Sequence, residues 1–437
     1  MQSLFTILFV FWVASCCSFR KILTATNTTT FNVIDYGAVG DGLTDDSQAF
    51  LKAWKDMCEA TQSTPTLEVP LEKTFMLKPL SFNGPCNSPT IHFQLEGNVV
   101  APKNTDAWEG QSKDKWIVFI NTDGLIIDGG GQIDGQGSVW WDACKGKLDI
   151  ALSLHNCSNL QLSGLHHLNS GRNHISLSDC TNTSISSISI VAPEDSPNTD
   201  GIDICRSTNI LIQDSNIGTG DDCIAMNDGT SYINITGVSC GPGHGISVGS
   251  LGEDGAEETV EQVIVHDCSF SGTQNGLRIK TWQGGSGYVR NISYDQITFA
   301  NTYNPIIIDQ FYVDRGRQLY VDEGNQASAV EISNITYRDV NGTSASETAI
   351  TLNCSMEIGC NDIIMHTINI ISSTPGAYIN TSCNNAHGKV TSVLPSVSCL
   401  DVSGSAEVPS SPPVEVPSVT PLEVPSISPS DENEFYF

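Results

Sequence analysis

The sequence is poor in positive charge. Its 437 residues carry 20 Lys and Arg against 49 Asp and Glu, so the formal net charge is −29 at pH 7. An acidic surface keeps a protein soluble but repels a polyanion at long range, which makes nucleic acid a poor partner. An acidic polymer of any kind would need a local patch of positive charge on this chain.

Long hydrophobic runs are also scarce. The only candidate, residues 3–15, is too short to span a bilayer and is followed by small residues. It predicts a secretory signal peptide over residues 1–18, although the usual basic start is missing. We therefore expect a secreted, extracellular protein with no membrane attachment after cleavage.

Metal-binding patterns are absent from the sequence. There is no Cys-x-x-Cys pair, and the Gly-rich stretch 124–137 lacks the spacing of a calcium loop, so neither a metal nor a cofactor is predicted. Thirteen of the 15 cysteines remain after signal cleavage, which leaves at least one free thiol. Cysteines close in sequence form four candidate disulfides: Cys58 with Cys86, Cys223 with Cys240, Cys354 with Cys360, and Cys383 with Cys399.

Sites for N-glycosylation fit a secreted protein. The Asn-x-Ser/Thr sequence occurs at Asn27, Asn156, Asn182, Asn234, Asn291, Asn334, Asn341, Asn353 and Asn380. Each sequon alone is weak evidence, because short motifs arise often by chance.

A repeat of alternating apolar and polar residues runs through most of the chain. Its apolar anchors are Leu162, Ile185, Ile212, Ile235, Val265 and Tyr294. Their spacing of roughly 23 to 30 residues lies in the solenoid range, and the alternation predicts strands with one buried face. An all-β parallel β-helix over residues 31–402 is therefore predicted. A β-sandwich would explain the strands but not the steady period.

The two ends of the predicted coil differ from its middle. A strand from Phe31 leads through a Gly-rich turn into a predicted helix near Thr44, with Thr44 as N-cap and Asp45 and Asp46 in the first turn. We expect this helix to cap the open end of the solenoid. Residues 403–437 form a Pro/Ser/Glu-rich tail that is predicted to be disordered.

Four short clusters carry the candidate chemistry. They are Asn198-Thr199-Asp200, Gly220-Asp221-Asp222, Gly243-His244-Gly245 and Arg278-Ile279-Lys280. Their intervals are close to one repeat each, so stacked coils about 4.8 Å apart would place them in one column. The predicted column of acids, an imidazole and two cations suits a groove for a long anionic polymer.

Paired carboxyl groups are what glycoside hydrolysis needs. One must be protonated and one ionised, and in inverting enzymes they lie about 6.5 to 9.5 Å apart with water between them. Carboxylates one or two coils apart can meet that distance. Because the three acids of the column repel one another, the pKa of one of them should be raised, so that it keeps its proton to a higher pH than usual.

Together the four clusters resemble the plant-type polygalacturonase family of glycoside hydrolases. The resemblance covers about residues 31 to 400 and includes Asp35-Tyr-Gly-Ala, Pro305-Ile-Ile-Ile-Asp-Gln and Gly342-Thr-Ser-Ala. It implies a right-handed parallel β-helix and inverting hydrolysis of α-1,4 galacturonan in cell-wall pectin. A monomer that needs no cofactor is expected.

The resemblance also implies roles for individual residues. Asp221 would be the general acid, Asp200 and Asp222 would hold and activate water, and His244 would sit beside the acid. The residues expected to bind substrate are Arg278 and Lys280, which would grip a galacturonate carboxylate, together with Asn198 and Tyr312.

The sequence departs from the family pattern at a few positions. Phe311 and Val313 replace the Asn and Cys that commonly flank Tyr312, which alters one wall of the groove. Asp203 replaces a common His and adds a carboxylate near Asp200, where it would change the pH dependence or substrate preference, or point away without effect.

Alternatives to this activity remain open. Three other hypotheses fit the sequence. The first is a wall protein that binds pectin without cleaving it, the second is an enzyme for a decorated pectin such as xylogalacturonan or rhamnogalacturonan, and the third is a calcium-dependent lyase. The adjacent Trp140 and Trp141 suit either a platform that stacks on sugar rings or ordinary burial.

Overall fold

The computed structural model describes residues 29–61, 63–108, 114–141, 150–313 and 328–402. The predicted signal peptide, the sequon at Asn27 and the Pro/Ser/Glu-rich tail lie outside the described residues.

Eleven strands stack in parallel into one sheet, here called the groove sheet. They are Leu80–Asn83, Lys115–Ile120, Ile150–His155, Ile175–Ser178, Ile202–Cys205, Ile224–Met226, Ile246–Leu251, Asn275–Thr281, Asn304–Asp309, Thr348–Asn353 and Asn380–Asn384. Each strand between the two ends of this sheet pairs with the strand one coil earlier and the strand one coil later.

The other 23 strands form the second parallel sheet, here called the large sheet. They are Thr30–Asn32, Asp41–Asp45, Thr66–Val69, Thr74–Met76, Ile91–Leu95, Asn98–Val100, Leu125–Asp128, Gln132–Asp134, Gln161–Ser163, His166–Leu168, Thr181–Ser186, Ser189–Val191, Thr208–Gln213, Asn216–Gly218, Thr230–Thr236, Ser239–Cys240, Glu257–His266, Ser269–Ser271, Ser286–Thr302, Glu331–Ser344, Cys360–Ser372, Ala386–Leu394 and Asp401–Val402. Its two rows of short strands merge at the long strand Ser286–Thr302, which pairs with both Glu257–His266 and Ser269–Ser271.

The predicted parallel β-helix is confirmed down to its register. The anchors of the sequence repeat lie directly above one another in the large sheet, in the order Leu162, Ile185, Ile212, Ile235, Val265, Tyr294 and Tyr337. Each is fully buried, so the alternation does bury one face of every strand. A core of aliphatic and aromatic side chains fills the inside of the coil.

The corners of the coil explain its abundance of Asn and Asp. Asn159, Asn182 and Asn209 occupy successive coils with φ between 52° and 59°. Asn and Asp adopt this left-handed conformation more readily than other side-chain-bearing residues. The Asn209 amide donates to Asn182 Oδ1 at 2.6 Å, and the Asn182 amide donates to Asn159 Oδ1 at 3.3 Å. This ladder links successive corners along the coil.

The N-terminal helix runs from Ser47 to Glu59, two residues later than the predicted start. Asp41 accounts for the difference, because its carboxylate accepts hydrogen bonds from the Thr44 N–H and hydroxyl and holds Thr44 in the preceding strand. Asp46 therefore takes the N-cap position in place of Thr44. The helix buries Phe50, Ala53, Trp54 and Met57 against the first coils, as a cap should.

The remaining helical segments are short. They are the α-helical turn Ser138–Trp141 and the 3₁₀ segments Val33–Tyr36, Thr105–Trp108 and Glu253–Gly255. Among the described residues, no helix has both the length and the apolar character needed to cross a membrane.

All four candidate cysteine pairs form disulfides in the structure: Cys58–Cys86, Cys223–Cys240, Cys354–Cys360 and Cys383–Cys399. Cys157, Cys180 and Cys268 are buried free thiols, and Cys205 is partly exposed. Cys144 lies outside the described residues.

Candidate active site

A groove of about 830 Å³ runs over the outer face of the groove sheet. The predicted catalytic and substrate-binding residues all line it: Asn198, Asp200, Asp221, Asp222, His244, Arg278, Lys280 and Tyr312. Its floor includes outward side chains that stack in register, in the order Asp203, Ala225, Ser247 and Arg278. The structure therefore brings the four sequence clusters together on one face.

Close contact between coils positions the acids. A Cβ atom on Gly220 would lie 2.0 Å from the Ser196 carbonyl oxygen, so only glycine fits before Asp221. The Gly220 N–H donates to Thr199 Oγ1 at 3.0 Å, which ties the cluster at Asp221 to the one at Asp200. The backbone N–H of His244 donates to the Asp221 carbonyl at 2.7 Å and fixes the next coil.

Asp222 is a buried carboxylate held by two cations. Its side chain is 1% exposed; Lys280 Nζ donates to Oδ2 at 2.9 Å, and Arg278 Nη2 donates to Oδ1 at 2.5 Å. Burial by itself would raise the pKa of Asp222, but the charges of Arg278 and Lys280 outweigh it and lower the pKa to about 2. Asp222 is therefore ionised at every physiological pH.

Asp221 lies next to Asp222 in sequence but in a different environment. Its side chain is 17% exposed toward the groove. His244 Nδ1 lies 2.9 Å from Asp221 Oδ1, the backbone N–H of Asp222 donates to the same oxygen at 2.8 Å, and the Asn198 amide approaches Oδ2 at 3.4 Å. No Lys or Arg side chain contacts this carboxyl group among the described residues.

Asp200 and Asp203 form no ion pair among the described residues, unlike Asp222. Burial and the neighbouring carboxylates, above all Asp203, raise the pKa of Asp200 well above its usual range. Burial and the charge of Asp222 raise the pKa of Asp203 to about 7, against the opposing charges of Arg172 and Lys280. Asp203 also lines the groove, one of the outcomes left open by the sequence.

Two supporting residues were not found from the sequence. Ser247 is fully buried; its hydroxyl donates to Asp222 Oδ1 at 2.8 Å and accepts from Arg278 Nε at 2.9 Å. His174 is also fully buried, and its backbone N–H and Nδ1 approach the Asp200 carbonyl oxygen at 2.8 and 3.2 Å. The only signal for Ser247 was its outward position on the strand after His244.

The predicted substrate-binding cations have a second contact that the sequence did not reveal. Arg278 and Lys280 reach the groove, but both are hydrogen-bonded to Asp222. Tyr312 lies beside them, with its ring centre 5.4 Å from Lys280 Nζ. Trp140 is buried against Trp108 and belongs to the core, which removes it as a sugar platform.

A metal ion would meet competition in this groove. Ligand atoms of Asp221, Asp222 and His244 lie within 4.8 Å of one another. Both oxygens of Asp222 already accept hydrogen bonds from Arg278 or Lys280. A cation would have to displace these two positive side chains to bind there.

Comparisons with known proteins identify one family. The family model described as glycosyl hydrolases family 28 matches residues 58–398. A probable polygalacturonase of Arabidopsis thaliana is 49% identical over 387 residues, covering 88% of this chain and 83% of that protein. Polygalacturonase-2 of Solanum lycopersicum is 38% identical, covering 85% and 81% of the two chains.

Solved structures share the fold. The endo-xylogalacturonan hydrolase of Aspergillus tubingensis matches with a TM-score of 0.72 at 25% identity, over 86% of this chain and 98% of that one. A polygalacturonase of Erwinia carotovora matches with a TM-score of 0.66 at 23% identity, over 83% and 97% of the two chains.

Proposed function

The chain belongs to glycosyl hydrolase family 28, and from that premise we propose that it is a secreted enzyme that hydrolyses α-1,4-linked galacturonan in pectin. The similarity to plant polygalacturonases over most of both chains supports the substrate class. The apolar segment at residues 3–15 supports export, and a cell-wall site of action follows from the substrate.

We assign the chemistry to the groove carboxylates. Asp221 is the general acid that protonates the leaving oxygen, since its side chain faces the groove and contacts His244. Asp222, with Asp200, positions and activates the attacking water. The carboxyl oxygens of Asp221 and Asp222 approach within 4.8 Å of each other, which is closer than the spacing of about 6.5 to 9.5 Å usual for inverting enzymes. Arg278, Lys280, Asn198 and Tyr312 bind the sugar, with Arg278 offering a uronate carboxylate the guanidinium N–H groups that do not bond to Ser247 and Asp222.

One observation carries this assignment: adjacent carboxyl groups sit in opposite electrostatic environments. Asp222 stays ionised because Arg278 and Lys280 contact it, whereas Asp221 faces the groove with no Lys or Arg contact among the described residues. Inverting hydrolysis needs one ionised and one protonated carboxyl group in the same site. An acidic working range follows from these two states.

The test is the substitution Asp221→Asn. Removal of the acid should lower turnover of polygalacturonate by about 10³-fold or more, with an unchanged thermal midpoint, because the amide keeps the shape of the side chain. Release of reducing ends at mildly acidic pH with a chelator present measures the activity. Turnover within tenfold of wild type would refute the assignment of Asp221.

Product analysis separates the remaining mechanisms. Hydrolysis releases reducing ends without ultraviolet absorbance, whereas a lyase would give absorbing unsaturated products. The anomeric configuration of the first product, followed by NMR, should be inverted. A protein that binds galacturonan but releases no product would be a binding protein rather than an enzyme.

A further inference from the structure

The groove contains more negative charge than a polyuronate would be expected to meet. Its lining includes the carboxyl groups of Glu194, Asp195, Asp200, Asp203, Asp221, Asp222 and Asp309. The lining cations are Arg172, Arg278 and Lys280. A fully charged sugar chain can therefore gain direct attraction at only a few places along the groove.

These cations do not have equal freedom to meet a ligand. Arg278 and Lys280 both donate hydrogen bonds to Asp222. Arg172 makes no ion pair and no side-chain hydrogen bond within the part of the chain that the structure describes. Its positive charge opposes the rise in the pKa of Asp203, from beyond ion-pair distance.

A buried turn fixes the base of the Arg172 side chain. The Ser170 hydroxyl donates to the Asn173 carbonyl at 2.8 Å, and the Ser170 N–H donates to His174 Nε2 at 3.2 Å. Ser170, Asn173 and His174 are all buried, while Arg172 at the tip of the turn is exposed. A guanidinium on a fixed backbone costs less entropy to immobilise on a ligand than one on a mobile loop.

The turn also lies at a defined distance from the reaction centre. The backbone N–H of His174 donates to the Asp200 carbonyl, which places the Arg172 turn one coil before Asp200. Asp221 lies one further coil along, so the turn and the acid are separated by roughly 10 Å along the groove. The opposite end of the groove carries the neutral amides of Gln274, Asn275 and Asn304 and the carboxyl group of Asp309.

We propose that Arg172 binds the free carboxylate of a galacturonate unit on the Asp203 side of the cleavage point, and so makes the enzyme require an unesterified unit at that position. This inference rests on the proposed function, because it assumes a galacturonan substrate. A methyl-esterified unit offers no charge to the guanidinium, whereas a free carboxylate matches its planar donors. Arg172 is thus a substrate-binding residue that determines specificity, in addition to Arg278 and Lys280.

Binding to an inactive protein tests the proposal without reference to catalysis. Affinities for de-esterified and for fully methyl-esterified galacturonate oligomers are measured by titration calorimetry on Asp221→Asn, with and without Arg172→Gln. The Arg172→Gln change should weaken binding of the de-esterified oligomer about tenfold and leave the esterified oligomer within twofold. Arg172→Lys should recover part of the loss.

The matched control is Arg290→Gln, which changes the net charge equally. Arg290 pairs with Glu261 at 2.8 Å on the large sheet, away from the groove. This variant should bind both oligomers as the parent does. Equal effects of Arg172→Gln on both oligomers, or no effect on either, would overturn the proposal.

The two proposals fail in different ways. If the wild-type protein does not hydrolyse galacturonan but Asp221→Asn still binds the oligomers, the proposed enzymatic activity is refuted. The comparison of Arg172→Gln with its parent then still decides the role of Arg172. In an active protein, Arg172→Gln should raise KM on de-esterified polymer with kcat within twofold. Absence of binding to either oligomer would overturn both.

Discussion

The two sheets of the coil use the same stacking but carry different chemistry on their outer faces. On the large sheet, Ile264, Ser293 and Thr336 stack in register, and all three are uncharged. On the groove sheet, the equivalent row includes Asp203 and Arg278. The spacing of the rows is the same, so stacking alone does not create a site.

The difference lies in how charge is compensated. On the large sheet, Arg338 stacks on Asp295 and is 48% exposed, so water also solvates this pair. In the groove, Asp222 is almost fully buried, and Arg278 and Lys280 replace its water. A buried charge of this kind is stable only while both partners remain.

Of the substitutions that test this difference between the two sheets, Asp222→Asn should have the largest effect. It leaves Arg278 and Lys280 largely buried without their partner, which should lower the free energy of unfolding by about 3–5 kcal/mol. Turnover of polygalacturonate should fall about 10³-fold or more. Denaturant unfolding and reducing-end assays measure the two effects.

The large sheet provides the control for this variant. Asp295→Asn removes the partner of the exposed Arg338 and should cost about 1 kcal/mol or less. If both variants lose similar stability, charge compensation in the groove is no stronger than in the exposed pair of the large sheet, and the contrast between the two sheets fails.

A matched pair of serine substitutions sharpens the contrast. Ser247→Ala removes hydrogen bonds to the charged groups of Asp222 and Arg278 and should cost roughly 1.5–3 kcal/mol. Ser293 has an outward position on the large sheet, so Ser293→Ala should change the free energy of unfolding by no more than about 0.5 kcal/mol. Chemical denaturation of both variants compares them directly, and equal losses would count against a special role for Ser247.

The smallest expected effect concerns Asp203 and depends on pH. The pKa of Asp203 is raised to about 7 in the folded protein, so its protonated form stabilises the fold. This stabilisation is fully present below the pKa that Asp203 has in the unfolded chain, and it is lost as the pH rises through 7. Asp203→Asn should therefore raise the thermal midpoint by roughly 2–4 °C at pH 8 and have almost no effect near pH 4. A pH-independent difference would show that Asp203 does not titrate in this range.

The sequence predicted the strand register and the common column because both follow from the repeat. Ile185 and Ile212 stack as the period implies, and the loops before successive groove-sheet strands place Asp200, Asp221 and His244 along one groove. Cysteine proximity in sequence likewise indicated pairs that form disulfides in the structure.

Features that depend on side-chain partners could not be predicted in this way. A serine gives no signal of its own, so Ser247 emerged only once its neighbours Asp222 and Arg278 were placed. The direction of Asp203 depended on register, and the start of the first helix depended on the Asp41 carboxylate that holds Thr44 in the strand.

The one-coil spacing of the site has a consequence for how such a protein can change over evolutionary time. The Arg172 turn, Asp200, Asp221 and His244 lie on successive coils, and each coil pairs mainly with its immediate neighbours. Duplication of a whole coil before residue 170 would extend the groove by about 4.8 Å and leave the reacting groups in place. Insertion of a single residue within a strand would instead exchange its buried and exposed faces. Gene segments that encode complete turns are therefore the natural unit by which the length of recognised polymer can grow.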